Sequence, residues 1–133
     1  MARPLPEPVL FLDECLGSTD VPAALRAKGI HVEMLHEHFD LATQDTMWLR
    51  EVGKRGWVVL TKDQRIRRRR VEIDALMAAN VATFVLTSGN LTGAKTATAF
   101  VLAWPRIQKT LRDYALPFVA AVDARGSIRF LTE

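Results

Sequence analysis

The 133-residue chain has one cysteine, Cys15, so it can build neither an internal disulfide nor a Cys-rich zinc site. It has no uninterrupted apolar run of about 18 residues, which excludes an ordinary transmembrane helix. Its opening, MARPLPEPVLFL, places three prolines and Glu7 ahead of any apolar run, unlike a signal peptide. There is no internal repeat, low-complexity tract or interdomain linker. What is present is 49% hydrophobic residues, enough for a packed core. The expectation is a soluble cytoplasmic protein: a Pro-rich leader over residues 1–8, then one domain over 9–133.

The formal net charge is only +3, but it is unevenly distributed. Residues 50–70 hold nine Lys or Arg against two acids, Glu51 and Asp63, a local excess of seven positive charges. The remainder of the chain is net negative by four. A concentrated basic segment on an acidic body suggests a polyanionic partner. Nucleic acid is favoured over a membrane because no amphipathic anchor accompanies the charges.

Short apolar runs alternate with helical patterns. Val9 to Leu12 reads as a strand buried on both faces, and Ile30 to Leu35, Trp57 to Thr61, Val81 to Leu86 and Phe118 to Val122 read as further strands. A first helix ends at Gly29. A second starts near Thr43 to Asp45 and turns Met47, Trp48, Leu49 and Val52 inward. A third follows the arginine run, with Ile73, Leu76 and Met77 on one face. The pattern from Gly93 to Tyr114 buries Ala97, Phe100, Val101, Trp104, Gln108 and Leu111, with Pro105 kinking or dividing the helix. His36 to Gln44 reads as a polar stretch, and Ile128 to Leu131 as the second arm of a terminal hairpin or as a tail after the last strand. The fold class is therefore α/β, a three-layer α/β/α sandwich around a mainly parallel sheet. Right-handed crossovers would bring the C-terminal ends of the parallel strands to one rim, where ligands bind at the switch in strand order.

Acids collect on that rim. Asp13 and Glu14 follow strand one directly, Asp63 follows strand three, and Asp45 lies at the mouth of the second helix. Carboxylates brought together repel unless a cation neutralises them, and hard oxygen donors suit Mg²⁺ or Mn²⁺. Such a cation can polarise a phosphoryl oxygen and activate water. Lys62, Arg65, Arg67 and Arg68 stand beside Asp63 as phosphate contacts. Each residue has a plainer role as well. Asp45 can cap its helix, Asp63 can serve a turn, and Glu14 and the arginines can form a solvated face. His36-Glu37-His38 lacks a third ligand and reads as a polar loop. Ser88 and Asn90 suit a turn, and Cys15 a small buried residue. Trp48, Trp57 and Trp104 suit the core.

FLDE at strand one, QDTMWL opening the second helix and WVVLTKD at strand three followed by RIRRR resemble the PIN-like nucleases, in particular the VapC-type branch of small prokaryotic proteins. The resemblance covers roughly residues 9 to 122 and extends to FVLTSGNLTG. It implies a metal-dependent endoribonuclease, the toxin of a toxin–antitoxin pair. Asp13, Asp45 and Asp63 would take the catalytic and metal positions, with Glu14 as an added ligand. RNA, a cognate antitoxin and a homodimer are the partners to expect, and no membrane. Many PIN domains carry a further acid just beyond the TxD strand, where this chain has Gln64-Arg65-Ile66-Arg67. A shortened acid set holding one metal, or an inactive RNA- or protein-binding member, follows from that departure. A phosphorylation-controlled receiver domain is the competing class, since Asp13, Glu14, Asp63 and Thr87 fit its outline. It requires a lysine at the end of strand five, and Phe118 to Asp123 contains none.

Overall fold

The computed structural model describes residues 7–40, 45–88 and 90–132, and leaves the side chains of Asp45, Thr46 and Arg67 outside the description. The segment from Leu41 to Gln44, part of the expected polar stretch and of the expected helix start, lies outside the described residues, as does most of the leader. Among the described residues six strands form one sheet in the order β2-β1-β3-β4-β5-β6. They are β1 (Val9–Leu12), β2 (His31–Met34), β3 (Val58–Thr61), β4 (Ala82–Leu86), β5 (Phe118–Val122) and β6 (Ile128–Phe130). The first five are parallel, and β6 returns antiparallel to β5 through the hairpin at Asp123–Ser127.

Strand periodicity divides the core in two. Leu10, Leu12, Leu60, Phe84 and Val122 point to one face, where α1 (Asp20–Ala27) and α6 (Gly93–Asp113) pack. Phe11, Val59, Val85 and Val119 point to the other, beneath α3 (Asp45–Arg55) and α5 (Arg70–Ala78). Phe11, Phe84 and Phe100 are fully buried, each worth about 1.5–3 kcal/mol of transfer free energy. This is the expected three-layer sandwich.

One crossover departs from the uniform hand. The steps β1 to β2, β2 to β3 and β3 to β4 share one hand, given the faces on which α1, α3 and α5 lie. The step from β4 to β5 runs in the same direction as β3 to β4, yet α6 lies on the opposite face from α5, beside α1. Its hand is therefore reversed. A uniform hand would put three helices on one face and leave α1 alone to cover the other.

Local corrections follow from packing. The polar stretch after β2 contains a one-turn helix, α2 (Leu35–His38), because the Glu37 carboxylate reaches back to accept the Met34 N–H at 2.8 Å. Met47 is exposed, so α3 buries only Trp48, Leu49 and Val52. α3 continues through Gly53 and stops at Gly56, whose φ is +70°. The arginine run forms two helices, α4 (Arg65–Arg68) and α5, separated at extended Arg69. Asp63 caps the first by accepting the Arg65 N–H at 3.0 Å, and the Arg70–Asp74 pair at 3.0 Å staples the second.

α6 is one helix through Pro105. Its buried stripe is Thr96, Ala97, Ala99, Phe100, Ala103, Ile107 and Thr110, while Gln108 is exposed and Val101, Trp104 and Leu111 flank the core. Small side chains at the contact set how closely helices pack, and Ala94 and Ala97 of α6 line a groove with Ala24 of α1.

Candidate active site

The switch in strand order falls at β1, which has β2 on one side and β3 on the other. Asp13 and Asp63 follow β1 and β3 there, with the Asp13 N–H bonded to the Leu60 carbonyl at 3.0 Å. Both continue the alternation of Phe11, Val59 and Thr61, so they lie on the α3/α5 side. Glu14 opens a short 3-10 helix, Glu14–Leu16. It lines a separate cavity of about 330 Å³ with Asp13, Met34 and His36, not the one that Asp63 lines.

Thr61 joins the two aspartates. Its side chain is buried, and its Oγ1 donates to Asp13 Oδ2 at 2.8 Å while accepting the Asp63 N–H at 3.1 Å. This residue was missed in the sequence, although the Thr of the TKD element was the available signal. Cys15 is not buried as expected. The residue is exposed, yet its sulfur lies 3.3 Å from Thr61 Oγ1 and accepts the Lys62 N–H at 3.4 Å. Desolvation of the sulfur, then the charge of Asp13, push this thiol above its ordinary pKa. That disfavours a nucleophilic thiolate.

Asp63 is held by Arg65. The guanidinium donates to both carboxylate oxygens, with Nη2 to Oδ2 at 2.7 Å and Nε to each oxygen at 3.1 Å. These hydrogen bonds depress the Asp63 pKa, against a smaller opposing effect of burial, and the charge of Arg69 adds to the depression.

A cavity of about 390 Å³ is lined by Asp13, Thr61, Asp63 and Glu72, with Trp48 and Leu76 among its apolar walls. Glu72 is the other residue missed in the sequence. It lies in the first turn of α5, is half-buried, and makes no side-chain hydrogen bond or ion pair within the described residues. The position next after Asp63 is filled by Gln64, whose amide bonds the carbonyls of Lys62 and Leu86 at 2.9 Å and so braces β3 against β4.

The donor set fits a small hard cation. It offers carboxylate oxygens from Asp13, Asp63 and Glu72 around one cavity, with room for the waters that Mg²⁺ or Mn²⁺ retains. Among the described residues no three His, Cys, Asp or Glu side chains are already grouped closely enough to hold an ion. Asp45 opens α3, but its side chain lies outside the description.

The basic segment does not form one surface. α3 is 11 residues long, about 16 Å at the helical rise. It carries Arg55 to the opposite rim, where Arg55 lines a cavity with Val9, Val58 and Ala82 and stacks over Trp57 at 4.8 Å. Arg65 is paired with Asp63, the charge of Arg69 reaches it, and Lys62 adjoins it in the chain. Arg67 is in α4, its side chain undescribed.

His36 and His38 do not act as a pair. His36 is exposed, while His38 Nε2 and His31 Nε2 each lie 2.9 Å from one oxygen of Glu33. His38, then His31, lower the Glu33 pKa through these hydrogen bonds. A depressed carboxylate contributes stability that is present above its unfolded pKa and lost as pH falls through the folded value. Glu33→Gln should therefore melt below the wild type at pH 6, with the gap closing toward pH 3; thermal melts across that range would check this. A gap independent of pH would contradict it.

The family described as "PIN like domain" matches residues 8–88. Putative ribonuclease VapC45 of Mycobacterium tuberculosis is 25% identical over 126 residues, covering 92% of this chain and 91% of that protein. No solved structure matches the chain. Among the described residues no helix is long and apolar enough to cross a membrane.

Proposed function

The chain belongs to the PIN-like domain family, and from that membership we propose that it is a metal-dependent endoribonuclease. In the VapC manner it would be the cytoplasmic toxin of a toxin–antitoxin pair. The observation that carries this reading is the meeting of Asp13 and Asp63 through Thr61 at the strand-order switch, with Lys62 and Arg65 alongside. The likeness to Putative ribonuclease VapC45 across nearly the whole of both chains supports it.

In this reading Asp13, Asp63 and Asp45 hold Mg²⁺ or Mn²⁺, and Glu72 contributes from α5 in place of the acid missing after Asp63. Glu14 belongs to the outer edge, given its separate cavity. The chemistry that the ion supplies when bound is charge neutralisation at the phosphoryl group and activation of water. The protein's own part is positional. Thr61 fixes the Asp13 carboxylate. Lys62, Arg65, Arg67 and Arg68 bind backbone phosphates, and the wall bearing Trp48 and Leu76 keeps bulk water from one side of the carboxylates. The partners are RNA and a cognate antitoxin, with a homodimer as the proposed assembly.

The test is cleavage of RNA by the purified protein. Cleavage should stop with EDTA and return with excess Mn²⁺, and Glu72→Gln should weaken Mn²⁺ binding by calorimetry. Cleavage that survives EDTA would overturn the metal-dependent reading. The lack of a preassembled group of three donors among the described residues favours one alternative, an inactive PIN-like module that binds RNA or protein. RNA binding with neither cleavage nor Mn²⁺ binding would select it.

A further inference from the structure

Asp63 is one of the most heavily engaged carboxylates in the described structure. Its Oδ1 accepts the Arg65 N–H and Nε, and its Oδ2 accepts Nε and Nη2. A carboxylate offers about four lone-pair sites, so the Arg65 backbone and fork together occupy nearly all of them. The Asp63 side chain is only 19% exposed, whereas that of Arg65 is 54% exposed. The guanidinium thus covers the solvent side of a recessed carboxylate, and an ion in the cavity lined by Asp13 and Asp63 must compete with it for the same oxygens.

The two partners differ in what they lose on separation. Arg65 is on the first residue of the short helix α4 and half in water, so its side chain can swing away without unpacking the core. Asp63 is fixed by its own backbone, through its N–H to Thr61 and its carbonyl to the Ile66 N–H at 3.3 Å. An anion of phosphate geometry is the natural competitor for the fork, since planar guanidinium pairs with phosphate as readily as with carboxylate.

We propose that Arg65 is a latch that closes Asp63 to divalent metal in the free protein and moves to a backbone phosphate of bound RNA, so that RNA and metal bind cooperatively. The proposal rests on the reading of Asp63 as a metal ligand. With the latch on Asp63, metal must displace a guanidinium. With RNA present, the phosphate takes the guanidinium and the carboxylate opens. The coupling is modest, because the guanidinium is more than half exposed and solvent screens the pair. It is also reciprocal, as linkage requires.

The experiment is calorimetric titration of Mn²⁺ into the full chain, alone and with a non-cleavable 2′-O-methyl RNA oligonucleotide. For Arg65→Gln we expect Mn²⁺ to bind about two- to fivefold tighter than to wild type without RNA. The same variant should bind the oligonucleotide more weakly, and the RNA should no longer tighten Mn²⁺. Arg65→Lys retains the charge but not the fork, and should keep the tighter Mn²⁺ binding with a smaller loss of RNA affinity. Unchanged or weaker Mn²⁺ binding by Arg65→Gln would overturn the latch. Asp63→Asn separates the two levels of the claim. If it leaves Mn²⁺ binding intact, the metal-site reading falls as well. If it weakens Mn²⁺ binding while Arg65→Gln changes nothing, the metal site stands and the latch alone fails.

Discussion

Asp13→Asn should lower RNA cleavage by more than about 100-fold while leaving the fold intact. Loss of an outer partner already costs a metal site roughly 10–100-fold, and Asp13 is proposed as a direct ligand. The substitution keeps the shape of the side chain, and the Asn oxygen can still accept the Thr61 hydroxyl, which now stands 2.8 Å from Asp13 Oδ2. The charge is removed, and one acceptor oxygen becomes an amide NH₂ donor. Thr61 is buried, so a variant unable to accept would strand its hydroxyl, at a cost of roughly 1–3 kcal/mol. Asparagine avoids that penalty, and its melting temperature should stay near the wild-type value. The measurements are single-turnover cleavage at saturating Mn²⁺ and a thermal melt of the same sample. Undiminished cleavage would remove Asp13 from the chemistry. A collapsed melt would mean that the charge itself is structural.

Why Asp13 and Asp63 were legible in the sequence, and Glu72 was not, is a matter of how directly the chain fixes each position. Asp13 directly follows a short apolar run, Asp63 stands just beyond another after Thr61 and Lys62, and parallel pairing brings the ends of such strands to one rim. Glu72 reaches the same cavity only because the arginine run breaks at Arg69 and restarts as α5. No periodicity announces that break, where Asp63 accepts the Arg65 N–H and Arg70 pairs with Asp74. Glu14 illustrates the reverse case. It is adjacent to Asp13 in the chain, yet it opens the short 3-10 helix Glu14–Leu16 and lines another cavity. The basic segment likewise looked like one stripe because sequence distance hides the length of α3. On α6, large apolar residues drew attention, while much of the buried stripe is alanine: Ala97, Ala99 and Ala103.

Gly53→Val is expected to destabilise the protein by about 3 kcal/mol or more. A Cβ at Gly53 would overlap the backbone carbonyl of Ala79 and lie 3.5 Å from the Val81 side chain. The obstructing atom is backbone at the end of α5, so no rotamer change relieves it. Either α3 or the end of α5 must move. Overpacking of this kind costs typically about 1–3 kcal/mol, and valine's branched side chain adds to it. Alanine gains about 1 kcal/mol in helix propensity over glycine, so Gly53→Ala should lose less than Gly53→Val but remain below wild type. For a domain of this size, 3 kcal/mol corresponds to a fall in Tm of roughly 10 °C. The effect should also reach the site. α3 carries Trp48 and opens at Asp45, α5 carries Glu72, and all three positions move if these helices separate. Gly53→Ala should therefore weaken Mn²⁺ binding at temperatures well below its melt, although residue 53 does not line the cavity. Thermal melts and Mn²⁺ calorimetry on both variants are the measurements. A wild-type Tm for Gly53→Val would show that α3 and α5 do not approach this closely. Unchanged Mn²⁺ affinity in a destabilised Gly53→Ala would show that the carboxylates are positioned by the strands alone.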